Sequence, residues 1–208
     1  MKKFDQYITE ATINKKDKAL QGVIKQLYSY YSPGLFSDEE MQAFGDYTGN
    51  SYDMINRYLY KGFDPGITPE NAEYVQSTVD IIDGAFNEIK APFAYTVYTG
   101  LSQRYNPDDL IIGNQYMFRG YVSATLDYKN MMGSFTKSNV ILQIGINQGQ
   151  QSIFVDPLIP NSTETEVLLP RGSRIQLLNG PQVYDEQLVD KSTGYPIVFF
   201  TCALIENV

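Results

Sequence analysis

The chain contains no histidine, no tryptophan and a single cysteine among 208 residues. Without histidine there is no Ser-His-Asp or Cys-His nucleophile arrangement, and with one cysteine there is no zinc site of the usual ligand types. No metal is therefore expected. One thiol forms no internal disulfide. Cys202 lies in the closing apolar run I-V-F-F-T-C-A-L-I and reads as a core residue. No apolar run approaches the roughly 18 residues of a membrane span, and the first residues lack the long apolar core of a signal peptide. A chain made in the cytoplasm, with no membrane partner, is the expectation. Basic residues are the scarcer charge, 16 Lys and Arg against 24 Asp and Glu, for a net charge of −8. Such a surface repels a phosphate backbone, so no stable nucleic-acid binding is expected. Chemistry here falls to carboxylates, hydroxyls and arginines, with or without a cofactor.

What is present argues for one packed core. Hydrophobic residues make up 43% of the chain, including 17 Tyr and 11 Phe, and the length suits one sizeable domain. Residues 1–14 have no periodicity and read as a flexible tail. Over residues 15–31, Ala19, Val23, Leu27 and Tyr30 or Tyr31 recur at helical spacing. Ser37, with Glu40 three residues later, forms a capping-box pattern ahead of a short helix carrying Met41 and Phe44. Residues 47–60 begin as a turn and become a helix that Gly62 and Pro65-Gly66 stop. Thr68-Pro69 opens another helix, whose face is Val75, Val79, Ile82, Phe86 and Ile89. After Pro92 the pattern changes to short strands over 93–99, 115–125 (interrupted at Gly120), 139–146, 152–155, 166–169, 173–178 and 196–205. Helices first and strands later predict one α+β domain over 15–208, helical over 15–91 and mostly antiparallel sheet over 92–208.

The segment N-S-T-E-T-E-V-L-L-P-R-G (161–172) sets two carboxylates, Glu164 and Glu166, against a buried strand. If the segment is extended, period two puts both on one face, where repulsion raises one pKa and leaves the other carboxylate ionised. The spacing is equally that of two surface acids at a solvated strand end. Y-V-S-A-T (121–125) presents Ser123 and Thr125 on one face, hydroxyls able to hold a carboxylate. Tyr98-Thr99-Gly100 ends the first strand with a glycine that admits close approach of a ligand. Arg104, Arg119, Arg171 and Arg174 are the cations nearby in sequence, and spacing singles out none of them.

Taken in order, the strand ending Y-T-G, then Y-V-S-A-T, then E-T-E-V-L-L-P-R-G resembles the mono-ADP-ribosyltransferase family, and Y-T-G-N-S-Y-D-M-I-N-R-Y-L (47–59) resembles its helix preceding the NAD core. The resemblance covers roughly residues 40–178 and lies nearest the virion-packaged enzymes of T-even-like phages. It implies N-terminal helices packed on a mostly antiparallel split β-sandwich, NAD as co-substrate and arginine on a host protein as acceptor. By the same resemblance Glu166 is the catalytic glutamate and Glu164 orients or deprotonates the acceptor arginine. Ser123, Thr125, Tyr98, Thr99 and Gly100 stand at cofactor-binding positions, and the loop over 156–163 at the acceptor-recognition position. Ala124 replaces a family threonine and Thr125 a family serine. Thr99 replaces the arginine that grips the NAD phosphates, a charge-assisted contact whose loss weakens binding about 30- to 1000-fold. Arg104 or Arg119 would have to supply that cation. The retained glutamates imply an active transferase; Thr99 and Ala124 imply the alternative, a catalytically silent relative acting by binding, as an internal head protein or a ligand of a host factor.

I-T-E-A (8–11) resembles the sites that phage prohead proteases cut. That resemblance implies removal of residues 1–10, packaging in the phage head, and delivery to the host cytoplasm.

Overall fold

The computed structural model describes residues 18–62, 68–101, 107–128, 139–159, 162, 164–183 and 197–205. The N-terminal tail and the I-T-E-A segment lie outside them. Helix α1 covers residues 18–30, with Leu20, Val23, Ile24 and Leu27 against the core. Of the two tyrosines at its end, Tyr30 is exposed and Tyr31 fully buried, its hydroxyl donating to the Ser152 carbonyl at 2.8 Å.

Helix α2 (Asp38–Asp46) starts at the capping box read from the sequence: the Glu40 amide donates to Ser37 Oγ and the Ser37 amide to Glu40 Oε2, at 3.2 and 2.7 Å. Ser37→Ala should therefore cost about 1 kcal/mol in denaturant unfolding. The expected turn after α2 is a π-helical turn, Tyr47–Ser51, that runs into α3 (Tyr52–Lys61). Helix α4 (Pro69–Glu88) is capped by Thr68 and buries the predicted face, Val75, Val79, Ile82 and Phe86. Ring contacts run through this layer from Phe36 to Phe44, Phe86, Tyr121 and Tyr47, with centroids 5.3–6.5 Å apart. No described helix is long and apolar enough to cross a membrane.

Among the described residues eight strands follow: β1 (Tyr95–Gly100), β2 (Gln115–Met117), β3 (Val122–Thr125), β4 (Val140–Ile146), β5 (Ile153–Phe154), β6 (Glu166–Leu169), β7 (Arg174–Val183) and β8 (Val198–Ile205). Their order across the sheet is β2-β7-β8-β4-β1-β3-β6-β5, antiparallel except for β4 with β8. This is the α+β, mostly antiparallel architecture the sequence predicts. The split falls between β1 and β3, which share one registered pair, Tyr98 with Thr125. Five strands lie on one side of that seam and three on the other. Cys202 is a core residue of β8, and burial pushes its thiol up to about 12.

One strand expectation is corrected. Residues 115–125 form two strands on opposite sides of the seam, β2 at the outer edge beside β7 and β3 beside β6. The reason is Gly120. A Cβ there would overlap Asn56 Oδ1 and stand 2.9 Å from Tyr60 Cε2, so the chain turns where the Asn56 and Tyr60 side chains of α3 pack closely on its backbone. Gly120→Ala should cost about 1–3 kcal/mol by overpacking, measured as a lowered unfolding midpoint.

Candidate active site

Glu166 opens β6 and is 5% exposed. Its side chain accepts a short hydrogen bond from the Ser123 hydroxyl on β3. Burial is the main cause of its raised pKa, about 7 against 4.5; the Ser123 bond opposes the shift, and the charges of Glu164 and Asp156 add to it. Near neutral pH this carboxyl holds or releases a proton with little driving force either way, a state suited to acid–base or electrostatic work.

The segment is not an extended strand across the two carboxylates. Thr165 between them has φ 51°, a left-handed conformation that costs a β-branched residue about 1–3 kcal/mol. The strand alternation assumed from the sequence is broken there: Glu164 is exposed and Glu166 buried. Thr125, expected beside a dinucleotide, is wholly buried and braces this turn instead. Its hydroxyl donates to the Glu164 carbonyl at 2.8 Å and lies 2.8 Å from Thr165 Oγ1.

Tyr98 pairs with Thr125, and Thr125 with Glu166. Directly opposed residues share a face, so Tyr98, Thr125 and Glu166 look the same way across the seam, joined by Ser123 two residues before Thr125; Thr125 and Glu166 are the buried members of that face. Tyr98 also lines a cavity of about 670 Å³ together with Thr96, Gln143, Phe199 and, from α1, Leu20 and Val23; Ser123, Glu166 and Gly100 are not among its lining residues. Both its size and its mixed aromatic and amide lining suit a cofactor-sized ligand. Gly100 ends β1 paired with Ile141.

Thr99 alternates to the buried side of β1 with Tyr95 and Val97, and its hydroxyl donates to the Ser123 carbonyl at 2.8 Å. It ties the two halves of the sheet together and offers no charge. Arg104 lies outside the described residues. Arg119 is exposed and lines a different cavity, of about 470 Å³, with Asp83, Met117 and Arg171. There Arg171 is paired with Asp83 at 2.7 Å. Among the described residues no group of three or more acidic or cysteine side chains converges to hold a metal ion.

Three further groups stand beside Glu166: Tyr47 and Asn56 come from the 47–59 motif and Asp156 from the start of the 156–163 loop, segments read from the sequence without an individual role for these residues. Asp156, 3% exposed, accepts the Thr165 and Glu166 amides. Tyr47, buried by the π-helical turn, lies close enough to Glu166 for the two to repel as anions, and its hydroxyl accepts from Asn56 Nδ2 at 2.9 Å. Asn56 Oδ1 in turn accepts the Tyr121 amide at 3.0 Å, fixing the approach to β3. A lone acid inside the apolar stretch S-I-F-V-D-P-L was the available signal for Asp156.

The seam between the two sheet halves thus carries a buried glutamate held by a serine, with an exposed glutamate two residues before it. The chain belongs to the ADP-ribosyltransferase exoenzyme family, whose model matches residues 10–193; NAD-dependent mono-ADP-ribosylation is the chemistry that membership carries. Its structure is similar to Plx2a, an ADP-ribosyltransferase toxin from Paenibacillus larvae, with TM-score 0.70 and 20% identity over 92% of this chain and 97% of that one. It is similar also to BECa, the ADP-ribosylating toxin of a binary enterotoxin of C. perfringens solved with NADH, with TM-score 0.74 and 20% identity over 90% of this chain and 48% of that one. An ADP-ribosyltransferase from Clostridium botulinum gives TM-score 0.64 and 20% identity over 90% of this chain and 94% of that one. The chain thus spans about half of BECa and nearly all of the other two. No curated protein matches the sequence.

Proposed function

We propose that the chain transfers ADP-ribose from NAD to an arginine of a host protein. One observation carries this reading: Glu166 is buried against Ser123 while Glu164, two residues earlier, faces solvent. In this reading NAD is the substrate, held along the β1 face by Tyr98, with the backbone at Gly100 and the Ser123–Glu166 pair near its reacting end. A fixed carboxylate at Glu166 stabilises positive charge developing at the ribose as nicotinamide departs, more than it stabilises the neutral ground state. Glu164, in water, is free to meet the guanidinium of an incoming protein and take its proton.

The test uses NAD with a small guanidine acceptor such as agmatine. Glu164→Gln is expected to lower transfer to agmatine by about 100-fold, while hydrolysis of NAD to free ADP-ribose persists, because general-base help contributes roughly that much. Equal loss of both activities would refute the division of labour.

A second reading rests on Thr99. Its hydroxyl is committed to the Ser123 carbonyl, so a dinucleotide's phosphates meet no cation at this position, and a silent, binding relative follows. Calorimetric titration separates the two readings: no binding at millimolar NAD supports the silent one. Delivery from a phage head into the host cytoplasm is part of the proposal, supported by the I-T-E-A pattern and the resemblance to virion-packaged enzymes. Intact mass of the protein from mature particles should show loss of residues 1–10; a full-length chain there would count against it.

A further inference from the structure

Asp156 sits in a 3-10 turn, Asp156–Leu158, ten residues ahead of Glu166, and is 3% exposed. A buried carboxylate is costly unless its oxygens are satisfied. Here they are. Oδ2 accepts the Thr165 amide at 2.8 Å, and Oδ1 accepts the Glu166 amide at 2.9 Å and the Ser162 hydroxyl at 2.9 Å. Tyr28, on α1, brings its hydroxyl to 3.5 Å from Oδ2. Two adjacent backbone amides gripped by one carboxylate determine the turn between Glu164 and Glu166. They hold Thr165 at φ 51°, where a β-branched residue does not rest on its own.

We infer that Asp156 is the positioning residue of the Glu164–Glu166 turn: its two amide bonds fix the bend that leaves Glu166 buried on Ser123 and Glu164 exposed to an acceptor. This inference rests on the proposed transferase reading for its meaning in catalysis, though the clamp itself is testable without activity. Were the turn to relax to an ordinary strand, period two would bring Glu164 and Glu166 to one face, and the separate tasks of the two carboxylates would be lost. Asp156 touches neither acceptor nor NAD in this scheme; it acts through Glu166. Ser162, in the stretch at the acceptor-recognition position, hangs from the same oxygen as the Glu166 amide, so that stretch and the inward carboxylate share one anchor.

The groups that bear on Glu166 are the Ser123 hydroxyl from β3, the charges of Glu164 and Asp156 from the turn, and Tyr47 from the π-helical turn. Asp156→Asn removes one negative charge and replaces one accepting oxygen by an NH₂ group, which cannot accept an amide hydrogen. Three measurements follow. In the unmodified chain, the amides of Thr165 and Glu166 should exchange with solvent about as slowly as that of Leu168 inside β6; fast exchange overturns the clamp whether or not any variant folds. In Asp156→Asn those two amides should exchange roughly 10- to 100-fold faster while Leu168 is unchanged, and the Glu166 carboxyl, followed by carbon NMR, should titrate at lower pH. Unchanged exchange and midpoint overturn the inference. Where the unmodified chain cleaves NAD, the variant should lose kcat more than KM, with the acid limb of its pH profile moved down; a purely structural residue would leave that limb in place. Absence of NAD cleavage in the unmodified chain would instead sink the transferase reading, and the exchange and titration results would still decide the role of Asp156.

Discussion

Glu166→Gln is expected to lower NAD cleavage by about 10²- to 10³-fold, the cost of removing one preorganised group aimed at developing charge, and to make the protein more stable above neutral pH. The two effects have one cause. Burial raises the Glu166 pKa from 4.5 to about 7, so the folded protein prefers the protonated acid. For a group whose folded pKa lies above its unfolded one, stability is fully present below the unfolded value, here 4.5, and is lost as pH rises through about 7. The shift corresponds to about 3 kcal/mol lost by pH 8, or roughly 10 °C in melting temperature for a chain of this size. Glutamine does not titrate, keeps an oxygen to accept from Ser123, and should melt with little pH dependence between 5 and 8. Activity runs the opposite way: the ionised form is the one that stabilises a cation, so cleavage by the unmodified protein should rise through about pH 7. Melting curves and initial rates collected over one pH series check both halves. With no histidine in the chain, no imidazole titrates across that range to obscure the result.

Phe86→Ala should destabilise the protein by about 3–5 kcal/mol, lowering its melting temperature by the order of 10 °C. Phe86 is 1% exposed on α4 and stands in the middle of the ring series, edge-on to Phe44 and stacked on Tyr121. Removing it leaves a cavity between the helical layer and the residue that leads into β3. Tyr121 is further held by its hydroxyl, which donates to Asp83 at 2.7 Å and to the Val79 carbonyl at 3.1 Å, so the site should keep its shape in the variant's surviving folded population. Loss of stability with near-normal kcat per folded molecule is the expected pairing. A variant as stable as the parent would show that the ring series contributes little to packing.

Much of the fold was legible because its signals are local. The caps at Ser37 and Thr68 stand within three residues of the amides they satisfy, and the α4 face repeats at helical spacing, so both could be read directly. The start of β6 at Glu166 was equally plain from the apolar run behind it. What was misread depends on partners distant in the chain. Residues 115–125 became two strands because α3 crosses at Gly120, some 60 residues removed in sequence. Glu164 is exposed and Glu166 buried across a bend whose two amides, of Thr165 and Glu166, are captured by a carboxylate in an earlier turn. Thr125 carries the hydroxyl expected of a ligand contact, yet burial turned it into a brace. Residue type and order named the candidate residues; periodicity held no information about a hydrogen bond arriving from another element.

The junction of β1 and β3 has a consequence for tolerance to change. Five strands meet three across one registered pair and the bond from Thr99 to Ser123. Insertions or sequence drift around β2 and the Arg174–Gln176 stretch of β7 paired with it have little lever on the Ser123–Glu166 contact. Variation can accumulate there at small cost to that contact, whereas an alteration at Thr99 or Tyr98 falls on the junction itself and reaches Ser123 directly.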